Sequence, residues 1–108
     1  MTGPATQRIR ELNDAARQTF TDCRVLVTRG VQALGANREI LALVRQYSNF
    51  TPSNDPCGEH DFGSFQYQGE TIFWKIDCYD SDLVMASPDP ADPTVTVRVL
   101  TIMLGSEY

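Results

Sequence analysis

Apolar residues recur at helical spacing near the start of the chain, at Ile9, Leu12, Ala16 and Phe20, with Arg8, Glu11, Asp14 and Arg17 between them. That pattern predicts an amphipathic helix from about Thr6 to Thr19, with Thr6 as its N-cap. Cys23-Arg24-Val25-Leu26-Val27-Thr28 is rich in β-branched residues and alternates in part. It predicts a strand, which Gly30 ends. Gly35 and Asn37 lead into a second predicted helix carrying Ile40, Leu41, Val44 and Tyr47 on one face.

From Ser48 to Gly63 the density of Pro, Asn and Gly predicts a long loop. Phe65 and Tyr67 then face one way, Gln68-Gly69-Glu70 turns, and Ile72, Trp74 and Ile76 face one way again with Thr71, Lys75 and Asp77 opposite. This β-hairpin is the clearest local signal in the chain. Phe73 lies on its polar face and implies that this face is partly covered. A second long loop runs from Cys78 to Pro93, and its prolines cannot join a sheet interior. Thr94 to Leu104 begins in alternation and becomes apolar on both faces, as a central strand does. The predicted order is α-β-α-β-β-β: an α+β domain with a mainly antiparallel four-stranded sheet and two helices on one face. It forms a single domain over residues 1–108, with residues 1–5 expected as a disordered tail.

The chain carries a net charge of −5, and this hides an asymmetry. Residues 1–50 hold seven Arg against four acids, giving +3, and residues 51–108 hold Lys75 and Arg98 against ten acids, giving −8. The acidic half should repel a phosphate backbone, which argues against direct nucleic-acid binding there. The arginines at 8, 10, 17, 24, 29, 38 and 45 fall mostly on polar helix positions and read as a solvated surface. No apolar run has the length of a membrane span, and no charged-then-apolar leader opens the sequence. Cys23, Cys57 and Cys78 form an odd set without CxxC, which predicts free thiols in a cytoplasmic protein.

Glu59-His60-Asp61 is the triplet with most chemical promise, since a histidine between carboxylates suits a metal ligand or a general base. A metal site would need Asp77 and Asp80 to converge on it from the second loop. The competing expectation is structural: Asn54, Asp55, Glu59 and Asp61 cap backbone N–H groups while His60 bonds a carboxylate. No GxSxG sequence and no phosphate-cradling glycine loop is present. Asp77, Asp80, Asp82, Asp89 and Asp92 fall together without a base among them, partly bracketed by proline. A solubilising face, a cation- or carbohydrate-binding loop and a protein-docking surface all fit such a run.

Several segments together carry a resemblance. They are Thr28-Arg29-Gly30-Val31, Asn54-Asp55-Pro56, Gly58 to Gly63, Phe73-Trp74-Lys75-Ile76-Asp77, Ser87 to Pro93, Arg98 to Leu104 and the terminal Glu107-Tyr108. In this set the chain resembles domain-of-unknown-function family 3768. The resemblance implies a small bacterial protein of plasmids, prophages and phages, without an established activity. Cys57 and Cys78 depart from the family pattern, which has His or Tyr at the first position and Tyr at the second.

Two functions are therefore expected. One is a mobile-element interaction protein that inhibits a nucleic-acid-targeting defence complex of the host, of the anti-CRISPR or anti-restriction kind. Its acidic residues Glu59, Asp61, Asp77, Asp80, Asp82, Asp89 and Asp92 would meet the partner's basic nucleic-acid-binding surface, with no cofactor and no catalytic set. The other is a metal-dependent hydrolase built on the Glu59-His60-Asp61 loop. A dimeric accessory protein without catalysis is a plainer third.

Overall fold

The computed structural model describes residues 3–108. Helix α1 spans Pro4–Thr19, strand β1 Arg24–Val27, α2 Arg29–Ala33, α3 Asn37–Gln46, β2 Phe62–Tyr67, β3 Glu70–Tyr79 and β4 Val97–Leu104. Short 3₁₀ turns at Pro93–Val95 and Gly105–Glu107 bracket β4. Helix α1 starts earlier than its apolar pattern suggests. Pro4 occupies the first turn and Gly3, not Thr6, is the N-cap, because a fixed proline φ is preorganised for that place. Pro4 and Ala5 are therefore helical rather than part of a disordered tail, and Met1 and Thr2 lie outside the described residues.

The four strands form one sheet in the order β1-β4-β3-β2. The sheet is mixed, where the sequence pattern predicted a mainly antiparallel one. The β2–β3 and β3–β4 pairs are antiparallel, but β1 joins β4 in parallel, Arg24 beside Val99 through Val27 beside Ile102. Strand β4 is central, as its two-sided apolar character required. Three helices, not two, cover one face. The additional one, α2, contains Gly30, so this glycine sits inside a helical turn instead of closing β1. A Cβ there would fall 2.7 Å from both a Glu107 carboxylate oxygen and Leu104 Cδ1.

The covered face holds the core. Ile72, Trp74 and Ile76 of β3 and Leu100 and Ile102 of β4 pack under Val31 of α2 and Ile40 and Val44 of α3. The pairing Trp74–Ile102 and Ile76–Leu100 places these side chains shoulder to shoulder across the strands. On the opposite face, Phe73 packs with Phe62 and the terminal Tyr108 at centroid distances of 5.3 and 5.2 Å, which accounts for an aromatic residue at an outward position.

Glu107 joins the end of β4 to the junction between β1 and α2. Its carboxylate accepts from the Thr28 hydroxyl at 2.6 Å, the Leu104 amide at 2.8 Å and the Gly30 amide at 3.2 Å. These donors, the Thr28 hydroxyl foremost, hold the Glu107 carboxyl below the usual range.

Gly63 lies directly against the indole of Trp74, where a Cβ would stand 2.5 Å from Nε1. Trp74→Ala is expected to cost about 3–5 kcal/mol. Gly63→Ala should also lower the urea midpoint, because the added methyl has no room without displacing a fully buried ring. Equilibrium urea unfolding of the two variants measures both effects. A Gly63→Ala midpoint equal to the parent's would contradict this packing.

Candidate functional site

The apolar stripe of α1 is not its most buried one. Ile9 and Leu12 are only partly covered, while Asn13 and Arg17 are each 1% exposed beside Ala16. Positions 13, 16 and 17 share a helix face, and here that face is polar. Arg98, which faces the same side from β4, is 4% exposed. Two of these buried residues tie the two long loops together. Asn13 Nδ2 donates to the Glu59 carbonyl at 2.9 Å, Arg98 Nε donates to Asn13 Oδ1 at 2.7 Å, and Arg98 Nη2 donates to the Pro90 carbonyl at 2.6 Å. A continuous hydrogen-bonded chain thus runs from the loop before β2 to the loop before β4.

Arg17 organises the first loop from beneath. Its Nη1 donates to the carbonyls of Val44 and Tyr47, each at 2.9 Å, which closes the C-terminus of α3. Its guanidinium lies 5.0 Å from the Trp74 ring centroid and 5.5 Å from that of Phe50. Nη2 donates to Asp14 at 3.2 Å. Asp14 in turn bonds His60 Nδ1 at 2.9 Å, and the imidazole stacks on Phe50 with centroids 3.7 Å apart. On its far side His60 Nε2 lies 3.5 Å from Asp55. Asp55 also accepts the His60 amide at 3.2 Å, where His60 has a φ of 54°.

Both imidazole nitrogens thus face carboxylates of the chain itself, and one imidazole face is covered by Phe50. The Glu59-His60-Asp61 triplet does not act as a unit: His60 turns to Asp14 and Asp55, and the Glu59 carbonyl meets Asn13. Among the described residues, no group of three or more His, Cys, Asp or Glu side chains is placed to hold a metal ion. A cleft of about 330 Å³ opens beside His60, lined by Arg10, Phe50, Asp55 and Cys57.

The acids divide into two kinds. Glu59 and Asp61 both titrate above the ordinary carboxylate range. Burial is the main cause for each, with Asp61 and Asp55 adding to the effect at Glu59, and Asp55 and Asp77 at Asp61. Asp80, Asp89 and Asp92 instead act as local caps. Asp80 Oδ1 accepts from the Val84 amide at 3.1 Å, Asp89 from Ala91 at 3.1 Å and Asp92 from Thr94 at 2.9 Å. The Thr94 hydroxyl and amide hold the Asp92 carboxyl below its usual range. Asp77 pairs with Lys75 at 3.0 Å, and Asp82 is exposed. The structure therefore groups Glu59, Asp61 and Asp77 electrostatically and fixes Asp80, Asp89 and Asp92 within their own loop.

With this geometry in place, comparison with known proteins adds the family. The model of a protein of unknown function, DUF3768, matches residues 27–107, most of the chain. The chain belongs to the DUF3768 family. No curated protein and no solved structure matches it. In this DUF3768 chain, motif segments far apart in sequence meet in space: Thr28 and Gly30 with Glu107, and His60 with the Phe50–Trp74 cluster. Cys23, Cys57 and Cys78 are free, and Cys57 is exposed at the cleft beside His60. Burial foremost raises the Cys78 and Cys23 thiols above their ordinary range. No helix of the described residues is long and apolar enough to cross a membrane.

Sequence reasoning missed one group here. Beyond β3 the chain turns back on itself, with Tyr79 bridged to Ala86 and the Asp80 amide donating to the Met85 carbonyl at 2.8 Å. At the tip of this turn Val84 is 76% exposed and Met85 69% exposed, and Leu83 has a φ of 60°. The only signal in the sequence is an apolar Leu-Val-Met triplet inside an acidic loop.

The Asp14–His60 bond is expected to be structural, so His60→Ala should cost roughly 1–3 kcal/mol. A double-mutant cycle with Asp14→Asn should show a coupling of about 0.5 kcal/mol or more, and additive losses would refute direct pairing. Asp61 gives a pH signature. A carboxyl whose folded pKa is raised binds its proton more readily in the native state, so stability falls as pH rises through that range. Asp61→Asn should therefore raise the melting temperature at pH 7, with the gain shrinking as pH falls through the carboxylate range. Calorimetric scans from pH 3 to pH 8, on the order of half a unit apart, test this.

Proposed function

We propose that this protein is an interaction module that docks on a basic protein surface through the loop following β3. The observation that carries the reading is the Leu83-Val84-Met85 tip, held in solvent on a braced turn and flanked by Asp80 and Asp82. Protein interfaces combine an apolar centre with a polar rim, and a tip of this composition supplies both. Asp80 fixes the turn by accepting the Val84 and Met85 amides at 3.1 and 3.4 Å, so little ordering entropy remains to be lost on binding. The left-handed Leu83 backbone is the kind of local strain that clusters at ligand-contacting segments.

The acidic half supports the same reading. Glu59 and Asp61 keep carboxylates where burial and neighbouring acids oppose their charge, an arrangement that costs native stability near neutral pH. A basic partner would relieve that repulsion. With Asp77, Asp82, Asp89 and Asp92 they would steer a cationic surface toward the apolar tip. The mobile-element setting implied by the family resemblance makes a nucleic-acid-targeting defence complex of the host the first partner class to test.

The test is capture on immobilised protein from a bacterial host lysate, with the captured protein then studied in purified form. A basic, nucleic-acid-binding protein is expected, with nucleic acid competing for it. A Val84→Ser, Met85→Ser double variant should lose capture while its circular dichroism spectrum stays unchanged. Asp82→Asn with Asp89→Asn should slow association about threefold to tenfold at low salt and flatten its salt dependence. Capture undiminished by the tip variant, or a partner that binds nucleic acid and this protein together, would sink the proposal.

A further inference from the structure

A second cleft, of about 710 Å³, runs between α1 and the segment entering β4, away from the His60 loop. Leu12 and Ala15 of α1 and Val97 of β4 give it apolar walls. Its charged groups are Arg8, Arg24 and Arg98 against one carboxylate, Asp22. In a chain with a net charge of −5, a cleft with three guanidiniums to one acid is a local inversion of sign.

Arg98 is the group that decides what this cleft can hold. It is 96% buried, being 4% exposed. Of its five N–H donors, one on Nε goes to Asn13 Oδ1 and one on Nη2 to the Pro90 carbonyl. Among the described residues Nη1 has no acceptor, and no carboxylate lies within 4.0 Å of the guanidinium. Both acceptors it does have are neutral. Nη1 is not sealed from solvent, in contrast to Arg17 Nε, so an anion entering the cleft can take the place of solvent against it. A guanidinium fits planar carboxylates and tetrahedral phosphates equally, through paired N–H donors.

We propose that this cleft binds a small organic anion, a carboxylate or phosphate monoester carried on an apolar body, with Arg98 as its anchor. The charged end meets Nη1 of Arg98, and the apolar body lies along Leu12, Ala15 and Val97. Arg24, exposed at the rim, adds a second positive charge without being committed to an ion pair among the described residues. Arg8 at the other rim has only a 4.0 Å contact with Glu11 and is free to turn inward. The cleft shares the β3–β4 loop with the docking site through Pro90, Pro93 and Thr94 but does not include the Leu83-Val84-Met85 tip, so a tip variant and Ala15→Phe test the two readings separately.

Four probes separate the components: benzoate, phenyl phosphate, inorganic phosphate and the neutral benzyl alcohol. Isothermal titration calorimetry and thermal shift on the full chain should show one-to-one binding of benzoate or phenyl phosphate, with a raised melting temperature. Benzyl alcohol should bind at least about tenfold more weakly, because it lacks the charge that Arg98 selects. Ala15→Phe fills the cleft from its exposed side and leaves Arg98 in place. It should abolish binding with the fold intact, which keeps the test valid even if Arg98 variants misfold. Arg24→Gln should weaken the anions but not benzyl alcohol. The proposal is overturned if neither organic anion binds, if benzyl alcohol matches them, or if Ala15→Phe binds unchanged. Inorganic phosphate binding as tightly as phenyl phosphate would likewise overturn it, since a surface anion site would then suffice.

Discussion

A guanidinium sealed under an indole has no water to turn to, so every N–H it carries must find a partner within the fold. Arg17 meets most of that demand with four different elements at once. It closes the carbonyls at the end of α3, faces Trp74 of β3 and Phe50 of the following loop, and bonds Asp14 one turn back on its own helix. Its Nε and the Trp74 Nε1 have no acceptor among the described residues, and the proximity of cation and ring offsets part of that loss. Because one side chain holds helix, sheet and loop together, the register of α1 on the core is fixed by a polar contact, not by its apolar stripe.

The loop chemistry follows from that contact. Asp14, held by Arg17, is the group that takes His60, and His60 lies flat on Phe50, the ring that Arg17 also faces. An imidazole in this place is a strut: its hydrogen bonds face inward and its stacking face is covered. Asn13 and Arg98 extend the polar layer toward the other side of the sheet, where they set the positions of Glu59 and Pro90. The two long loops are thus rigid neighbours of one buried polar seam.

Against this braced interior, a few features work against stability. Glu59 and Asp61 hold charge against burial and mutual repulsion, Leu83 keeps a left-handed backbone under an apolar tip, and the buried Arg98 donates, among the described residues, only to neutral acceptors. Local violations of folding rules concentrate where a protein meets something else. The first two lie on loops of the acidic half, and the third faces a positively charged cleft. They divide the molecule into a surface suited to a basic protein and a pocket suited to a small anion.

The sequence by itself determined the elements whose signal is local. The hairpin of β2 and β3, the central place of β4, the apolar face of α3 and the core position of Trp74 all follow from period and turn chemistry, which act between near neighbours. The family was legible too, from motifs spread over the chain. The direction in which β1 joins the sheet was not, because a strand's side-chain pattern reads the same beside a parallel or an antiparallel partner. Nor was the burial of Asn13, Arg17 and Arg98. Each is polar by type, and only contacts 27, 46 and 85 residues away in sequence make the interior a suitable place for it. The candidate sites shared that fate. His60 was visible as chemistry, but its partner Asp14 lies 46 residues earlier, on a helix face that reads as solvated. Exposure of Leu83-Val84-Met85 depends on a turn braced by Asp80, and the vacant donors of Arg98 depend on which acceptors fold against it. Such facts belong to the tertiary structure because they are set by what is distant in the chain and near in space.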